Sequence, residues 1–247
     1  MRLFDHQLDQ TPPAQVGLVV LQSDESVEPD FKRLLPDALE LLVTRIPSGD
    51  DVTPETLAAM EDDLSGAVGL FPGWANFKAI GYACTSGAAQ IGPARVAQIM
   101  LETAGAPASS DPVTALTAAC ETLGIERLAL LSPYTADVSD RLRDVLAAQA
   151  IDTPVFGSFN IASEAKVARI TPRSIIHAAE ALVADAPVDA LFLSCTNLRT
   201  LDVIERLEDR LGIPVLSSNL VLAWHLAQLA GTTLSDHAPG RLPQRNM

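Results

Sequence analysis

The feature that most restricts how this chain can fold is a pattern written twice. Ala79-Ile80-Gly81-Tyr82-Ala83-Cys84-Thr85-Ser86-Gly87 is echoed by Ala190-Leu191-Phe192-Leu193-Ser194-Cys195-Thr196-Asn197. Each is an apolar run closed by Cys-Thr and then a small polar residue. A short apolar run ending in a turn signal reads as a buried strand, so each cysteine stands where a strand passes into a loop. In open α/β sheets that carboxyl edge is where ligands bind. The cysteines are 111 positions apart, and the same offset carries Val20 of Gly17–Leu21 onto Leu131 of Leu128–Leu131. A third pair, Gly105-Ala106-Pro107-Ala108-Ser109-Ser110-Asp111 and Gly212-Ile213-Pro214-Val215-Leu216-Ser217-Ser218-Asn219, matches with one insertion.

Between these landmarks the chain alternates strand and helix signals. Residues 1–14 read as a leader arm. Strands are expected at Val16–Leu21, Val43–Ile46, the Cys84 run and Pro107, with helices at Asp30–Leu42, from Thr53 to about Ser65, and at Ala89–Glu102. The second half repeats this order. Its strands fall at Arg127–Leu131, Pro154–Gly157, the Cys195 run and Ile213–Leu216. Its helices fall at Val113–Leu123, Val138–Gln149, Ser174–Ala184, Leu201–Leu211 and Leu220–Ala230, with a loop at Asn160–Ile170 and a tail over 232–247. Thr53-Pro54 and Thr171-Pro172 are matching helix starts, Thr as cap and Pro at the first helical position. Strands alternating with long helices imply parallel sheets. The expected fold is α/β, two pseudo-symmetric parallel-sheet domains from an internal duplication, with the active site in the cleft between them. The first half spans 14–112 plus 220–247 and carries Cys84; the second spans 113–219 and carries Cys195.

Composition limits the partners. The 247 residues are 48% hydrophobic and 19% charged, an ordinary globular balance. A formal charge of −14 repels phosphate backbones and anionic lipid, which argues against nucleic acid or membrane as partner. Any anionic substrate needs positive potential supplied locally. Cysteines at 84, 120 and 195 suit neither a disulfide framework nor a zinc cluster; free thiols fit a reducing cytoplasm. The first residues lack a secretory core, and no run approaches a membrane span.

A thiol at a strand end, beside a helix start, is a candidate low-pKa thiolate. One thiol on each face of a bound carbon acid can remove a proton from one side and return one on the other. Alternatively, one thiolate adds to an activated double bond while the other thiol acts as acid. Neither scheme requires a cofactor or a metal, and no HExxH, CxxC, GxGxxG or Walker pattern is present. Thr85, Ser86, Thr196 and Asn197 offer donors for a carboxylate. Tyr134 follows the first strand of the second half, where a phenol could also hold a carboxylate. Asp24 occupies the corresponding first-half turn, where it could orient a thiol, pair with a cation or cap a turn. Cys120 has no echo and reads as core. His177 and His225 lie on apolar helix faces and read as packed or partly exposed.

At Cys84-Thr85-Ser86-Gly87, Ser132-Pro133-Tyr134, Ser194-Cys195-Thr196-Asn197-Leu198-Arg199-Thr200 and Pro214…Ser217-Ser218-Asn219, the chain resembles the Asp/Glu racemase superfamily. Within it the likeness is to the maleate cis-trans isomerase and arylmalonate decarboxylase branch, over nearly the whole length. The resemblance implies that Cys84 is the nucleophile and Cys195 its acid/base partner, with Tyr134, Thr85 and Ser86 holding carboxylates of a small substrate. Arylmalonate decarboxylase carries Gly where Cys84 stands, so two thiols favour isomerase or racemase over decarboxylation through Cys195. A non-catalytic small-molecule binding protein is the reading from a different class. Family habit implies a homo-oligomer, a dimer or tetramer, and some relatives are tied to ectoine breakdown. One position departs: maleate isomerases place Asn where Asp24 stands. Two like charges about 4 Å apart cost roughly 4 kcal/mol at an effective dielectric near 20. With Asp24 ionised and facing the site, that argues against maleate and leaves an amino-acid-derived substrate open.

Overall fold

The structure is a computed structural model describing residues 1–8 and 13–242. Its first sheet is built from β1 (Ala14–Leu21), β2 (Leu39–Ile46), β3 (Phe77–Ala83) and β4 (Ser109–Ser110), in the order β2-β1-β3-β4. The second contains β5 (Arg127–Ser132), β6 (Asp152–Ser158), β7 (Ala190–Leu193) and β8 (Val215–Ser217), in the order β6-β5-β7-β8. All pairings within them are parallel, and the two orders are one topology. The repeat read in the sequence is therefore a repeat of fold. Parallel strands covered on both faces read as continuous apolar runs, and Val16, Leu18, Val19 and Val20 of β1 are all fully buried.

Several helix boundaries differ from those expected, each for a local reason. The helix expected over Asp30–Leu42 is α1 (Val27–Leu34). Pro36 has no N–H to continue it, and Leu39–Ile46 pairs along all of β1 instead. The helix expected at Ala89–Glu102 is two: α3 (Thr85–Ile91), which begins directly after Cys84, and α4 (Pro93–Ala104), separated by Gly92 at φ 100°. The loop expected at 160–170 contains a short helix, α7 (Glu164–Val167). Both Thr-Pro starts hold. Thr53 accepts from the Thr56 amide at the head of α2 (Pro54–Val68), and Thr171 accepts from the Ser174 amide at the head of α8 (Pro172–Val183).

The remaining helices are α5 (Pro112–Leu123), α6 (Ala136–Ala147), α9 (Ile204–Leu211) and α10 (Ser218–Leu229). Although α10 follows β8 of the second sheet, it packs against β3, α1 and α5. Its residues from Ser218 to Ala227 are all buried, as expected of a helix that is apolar all round. Gly81 allows this closure, because a Cβ there would stand 2.7 Å from Leu226 Cδ1. We propose the division 14–112 with 220–247 against 113–219, of which 243–247 lie outside the described residues; α5, at its seam, packs on α10 and α3. Among the described residues no helix is long and apolar enough to cross a membrane.

Candidate active site

The first strand end is regular. Cys84 follows β3 on extended backbone, φ −150°, and caps α3, its Sγ accepting the Gly87 N–H at 3.2 Å. The Tyr82 hydroxyl lies against the same sulfur and donates to Met60 Sδ at 3.6 Å. Only glycine fits at 87, since a Cβ would come within 2.5 Å of the Tyr82 oxygen and 2.9 Å of the Cys84 sulfur.

At the second strand end the repeat is one residue longer. Val20 pairs with Ala83, immediately before Cys84, whereas Leu131 pairs with Leu193, two before Cys195. Ser194 is the extra residue, and Cys195 takes φ 114°, a region that costs a side-chain-bearing residue about 1–3 kcal/mol. The Cys195 sulfur lies 2.9 Å from the Tyr134 hydroxyl, and that hydroxyl donates to Glu164 Oε1 at 2.7 Å. An ionised carboxylate only accepts. The phenol proton therefore goes to Glu164, and the thiol proton of Cys195 goes to the phenol oxygen. Asn197 completes the cluster, its side-chain amide donating to Glu164 Oε2 at 2.8 Å and its backbone N–H to Cys195 Sγ at 3.3 Å. Glu164 is carried by α7, which is strapped to the first half: Glu164 N–H donates to the Asp50 carbonyl (3.1 Å) and Val52 N–H to the Ala162 carbonyl (3.0 Å).

The two ends are tied together by Ser218 at the head of α10. Its hydroxyl oxygen accepts from Thr85 Oγ1 at 2.7 Å and from the Cys195 N–H at 2.9 Å. Thr196 Oγ1 donates to the Ala83 carbonyl at 3.3 Å, across the same seam. Asn219 donates to the Thr196 carbonyl and to Asp30 Oδ2, both at 2.8 Å. The Asn197 side chain accepts the Glu25 N–H at 2.9 Å, bringing in the turn that holds Asp24. Asp24, Thr85, Tyr134, Cys195, Thr196 and Asn197 thus share one network, which Cys84 adjoins through its chain neighbour Thr85. Ser86 is buried beside them.

Burial governs the electrostatics. Cys84 and Cys195 are 5% and 3% exposed. Desolvation pushes the Cys84 thiol up to about 12 and raises Cys195 well above the ordinary thiol range, with the carboxyls of Glu164 and Asp24 adding to both shifts. The low-pKa thiolate expected from position alone is not what the closed site holds: its charged neighbours are anionic, and among the described residues no lysine or arginine hydrogen-bonds to either thiol. Glu164 and Asp24 are themselves raised, chiefly by desolvation. Asp24 Oδ1 accepts from the Ser26 and Val27 amides at 2.7 and 2.8 Å, the turn-capping role, while Oδ2 is buried without a hydrogen-bond partner.

Residues outside the site behave as cores do. Cys120 is buried in α5, and His225 is buried with Nδ1 2.7 Å from Ser110 Oγ. His177 is exposed. Sequence reasoning missed Tyr82, Glu164 and Ser218 as members of the network. For Tyr82 a signal existed: it stands two residues before Cys84 in the echoed run. Ser218 lies inside an echoed segment. Glu164 left no signal, because a glutamate in an apparent loop reads as solvated.

The profile of the arylmalonate decarboxylase family matches residues 67–243. An arylmalonate decarboxylase of Bordetella bronchiseptica is 30% identical over 227 residues, covering 91% of this chain and 93% of the relative. A maleate isomerase of Nocardia farcinica is 28% identical over 239 residues, covering 92% and 94%. Among solved structures, a Nocardia farcinica maleate cis-trans isomerase, a cysteine-to-serine mutant with a covalently bound succinylcysteine intermediate, superposes with a TM-score of 0.83. That chain is 27% identical, and the match covers 94% of this chain and 99% of the other.

Proposed function

The chain belongs to the arylmalonate decarboxylase family, and from that premise we propose that it is a cofactor-independent isomerase or racemase of a small carboxylate, working through Cys84 and Cys195. The observation that carries this reading is the pairing of the thiols. Each ends a corresponding strand, each has a tyrosine hydroxyl at its sulfur, and one serine hydroxyl accepts from both the Thr85 hydroxyl next to Cys84 and the Cys195 N–H. The two relatives compared above, named for isomerisation and decarboxylation, support the substrate class.

The chemistry needs a thiolate in a site that disfavours one. The relay from Cys195 through Tyr134 to Glu164 supplies it without drawing charge from solvent. Cys195 passes its proton to the phenol oxygen as the phenol passes its own to Glu164 Oε1, so the negative charge moves from carboxylate to sulfur and the total is unchanged. The Cys195 thiolate then takes a proton from the carbon next to the substrate carboxylate. The Cys84 thiol returns one to the opposite face. The Ser86 hydroxyl makes no hydrogen bond among the described residues, which leaves it able to hold the carboxylate while the Thr85 and Thr196 hydroxyls brace the two strand ends. Incubation in D₂O with a panel of small mono- and dicarboxylic acids, followed by proton NMR, tests the proposal. Deuterium entering beside a carboxylate is the expected outcome of this proton transfer, whereas maleate passing to fumarate without it would mean that a thiolate instead adds to the double bond and is expelled after rotation about the single bond so formed. Turnover only as loss of carbon dioxide would replace it with decarboxylation, and ligand affinity without turnover would leave a binding protein.

A further inference from the structure

We propose that the cleft between α8 and α9 is a binding site for a small dianion, its two charges on oxygen as in a phosphate monoester or a dicarboxylate. This is independent of the two-thiol reading, since none of the residues lining the cleft belongs to that network.

The chain carries 31 acidic side chains and 17 lysines and arginines, so a basic cavity runs against its overall balance. The cleft has a volume of about 520 Å³, and small-molecule sites span about 300–1,000 Å³. Arg173 and His177 reach it from α8, Arg206 and Arg210 from α9, beside the buried Ile176 and the carboxylate of Glu180. With His177 counted as neutral, three guanidinium charges against one carboxylate leave a net charge of +2.

Those charges are not balanced from within. Arg210 pairs with Glu180, but among the described residues the side chains of Arg173 and Arg206 make no hydrogen bond and no ion pair. The acids that α9 could offer Arg206 are turned elsewhere. Asp202, four residues before it, pairs with Arg33 at 2.8 Å, and Asp209, three residues after it, makes no ion pair among the described residues. Arg206 and Arg210 stand one turn apart, a spacing at which like charges destabilise a helix. Arg173 lies in the first turn of α8, where the helix dipole is already positive. A dianion in the cleft relieves both penalties and balances the charge of +2. Guanidinium forks suit it, because their paired N–H donors fit carboxylate and phosphate oxygens alike.

The test is calorimetric titration of the full-length protein with glycerol 3-phosphate and, separately, with succinate, which tells a phosphate ligand from a dicarboxylate. Binding is expected at millimolar probe. Arg173→Gln and Arg206→Gln should each weaken it about tenfold, the scale of a lost charge-assisted hydrogen bond, and the double replacement about a hundredfold. Glu180→Gln removes the opposing carboxylate and should tighten binding about two- to fivefold. Arg95→Gln deletes the same charge from a surface pair with Glu61 and should change affinity less than about twofold, being screened at that remove. All are surface positions, so melting temperatures should stay near that of the parent. The inference is overturned if neither probe binds, if every affinity found survives in the double variant, or if Arg95→Gln weakens binding as much as Arg206→Gln. Arginine variants that alter the oligomeric state while the parent binds neither probe would instead make the cleft a docking face for an acidic protein surface.

Discussion

The two strand ends descend from one pattern and have come to differ in what surrounds the sulfur. Cys84 lies on relaxed extended backbone, its sulfur between the Gly87 amide and a tyrosine that turns its proton toward a thioether. Cys195 sits one residue farther from its strand, at φ 114°, against a tyrosine that leads to a carboxyl. Duplication supplied two thiols, and divergence gave only one of them an internal acceptor for its proton. We propose that the difference separates the roles, with Cys195 the side that ionises and Cys84 the side that stays protonated and donates, the reverse of the nucleophilic Cys84 that the family resemblance implies.

The largest effect should come from removing the acceptor. Glu164→Gln keeps the shape of the site and abolishes the relay, so turnover should fall by about 10²–10⁴-fold, the range for a lost acid–base group. A smaller change, with melting temperature unchanged, would make the two ends equivalent. Next come the tyrosines. Tyr134→Phe should cost turnover about a hundredfold and Tyr82→Phe less than about tenfold; equal losses would erase the asymmetry. Gly87→Ala drives a methyl group against the Tyr82 oxygen, the Cys84 sulfur and Met60 Cε. It should lower stability by about 1–3 kcal/mol, as overpacking does, and displace the Cys84 sulfur, read by thermal melting together with turnover.

The smallest effect is on alkaline stability. Cys84 titrates near 9 in the unfolded chain and is pushed up to about 12 in the fold. Above pH 9 the unfolded state therefore releases a proton that the folded state keeps, and stability falls as pH rises. The contribution lost through this thiol should reach about 1.4 kcal/mol by pH 10. Cys84→Ser should flatten that decline between pH 8 and 10 in a melting series, and an unchanged slope would mean the thiol is more solvated than its burial implies.

Much of the fold was legible because it is carried by local patterns. Apolar runs closed by Cys-Thr marked the ends of β3 and β7, Thr-Pro marked the heads of α2 and α8, and Gly105 and Gly212 cap α4 and α9 in the left-handed conformation. Where the reading slipped, at Leu39–Leu42, tertiary pairing with β1 overrode a helical spacing. The paired cysteines, Tyr134 and Asp24 could be found because they follow strand ends, where topology places ligand-facing residues. Glu164 could not, since its burial depends on α7 being strapped onto Asp50 and Val52 from more than a hundred residues away. The thiol ionisation was misread for the same reason: spacing locates a cysteine beside a helix start, but only packing reveals that both sulfurs are sealed among acidic neighbours.

The most direct test of the central claim, that both sulfurs act on one bound molecule, is turnover by Cys84→Ser and Cys195→Ser measured side by side on whichever acid the wild-type protein converts. Each single replacement should lower the rate by about 10³-fold or more while the melting temperature at pH 7 stays near that of the parent. A folded Cys84→Ser protein converting that acid at the wild-type rate would contradict it, leaving Cys195 to work alone.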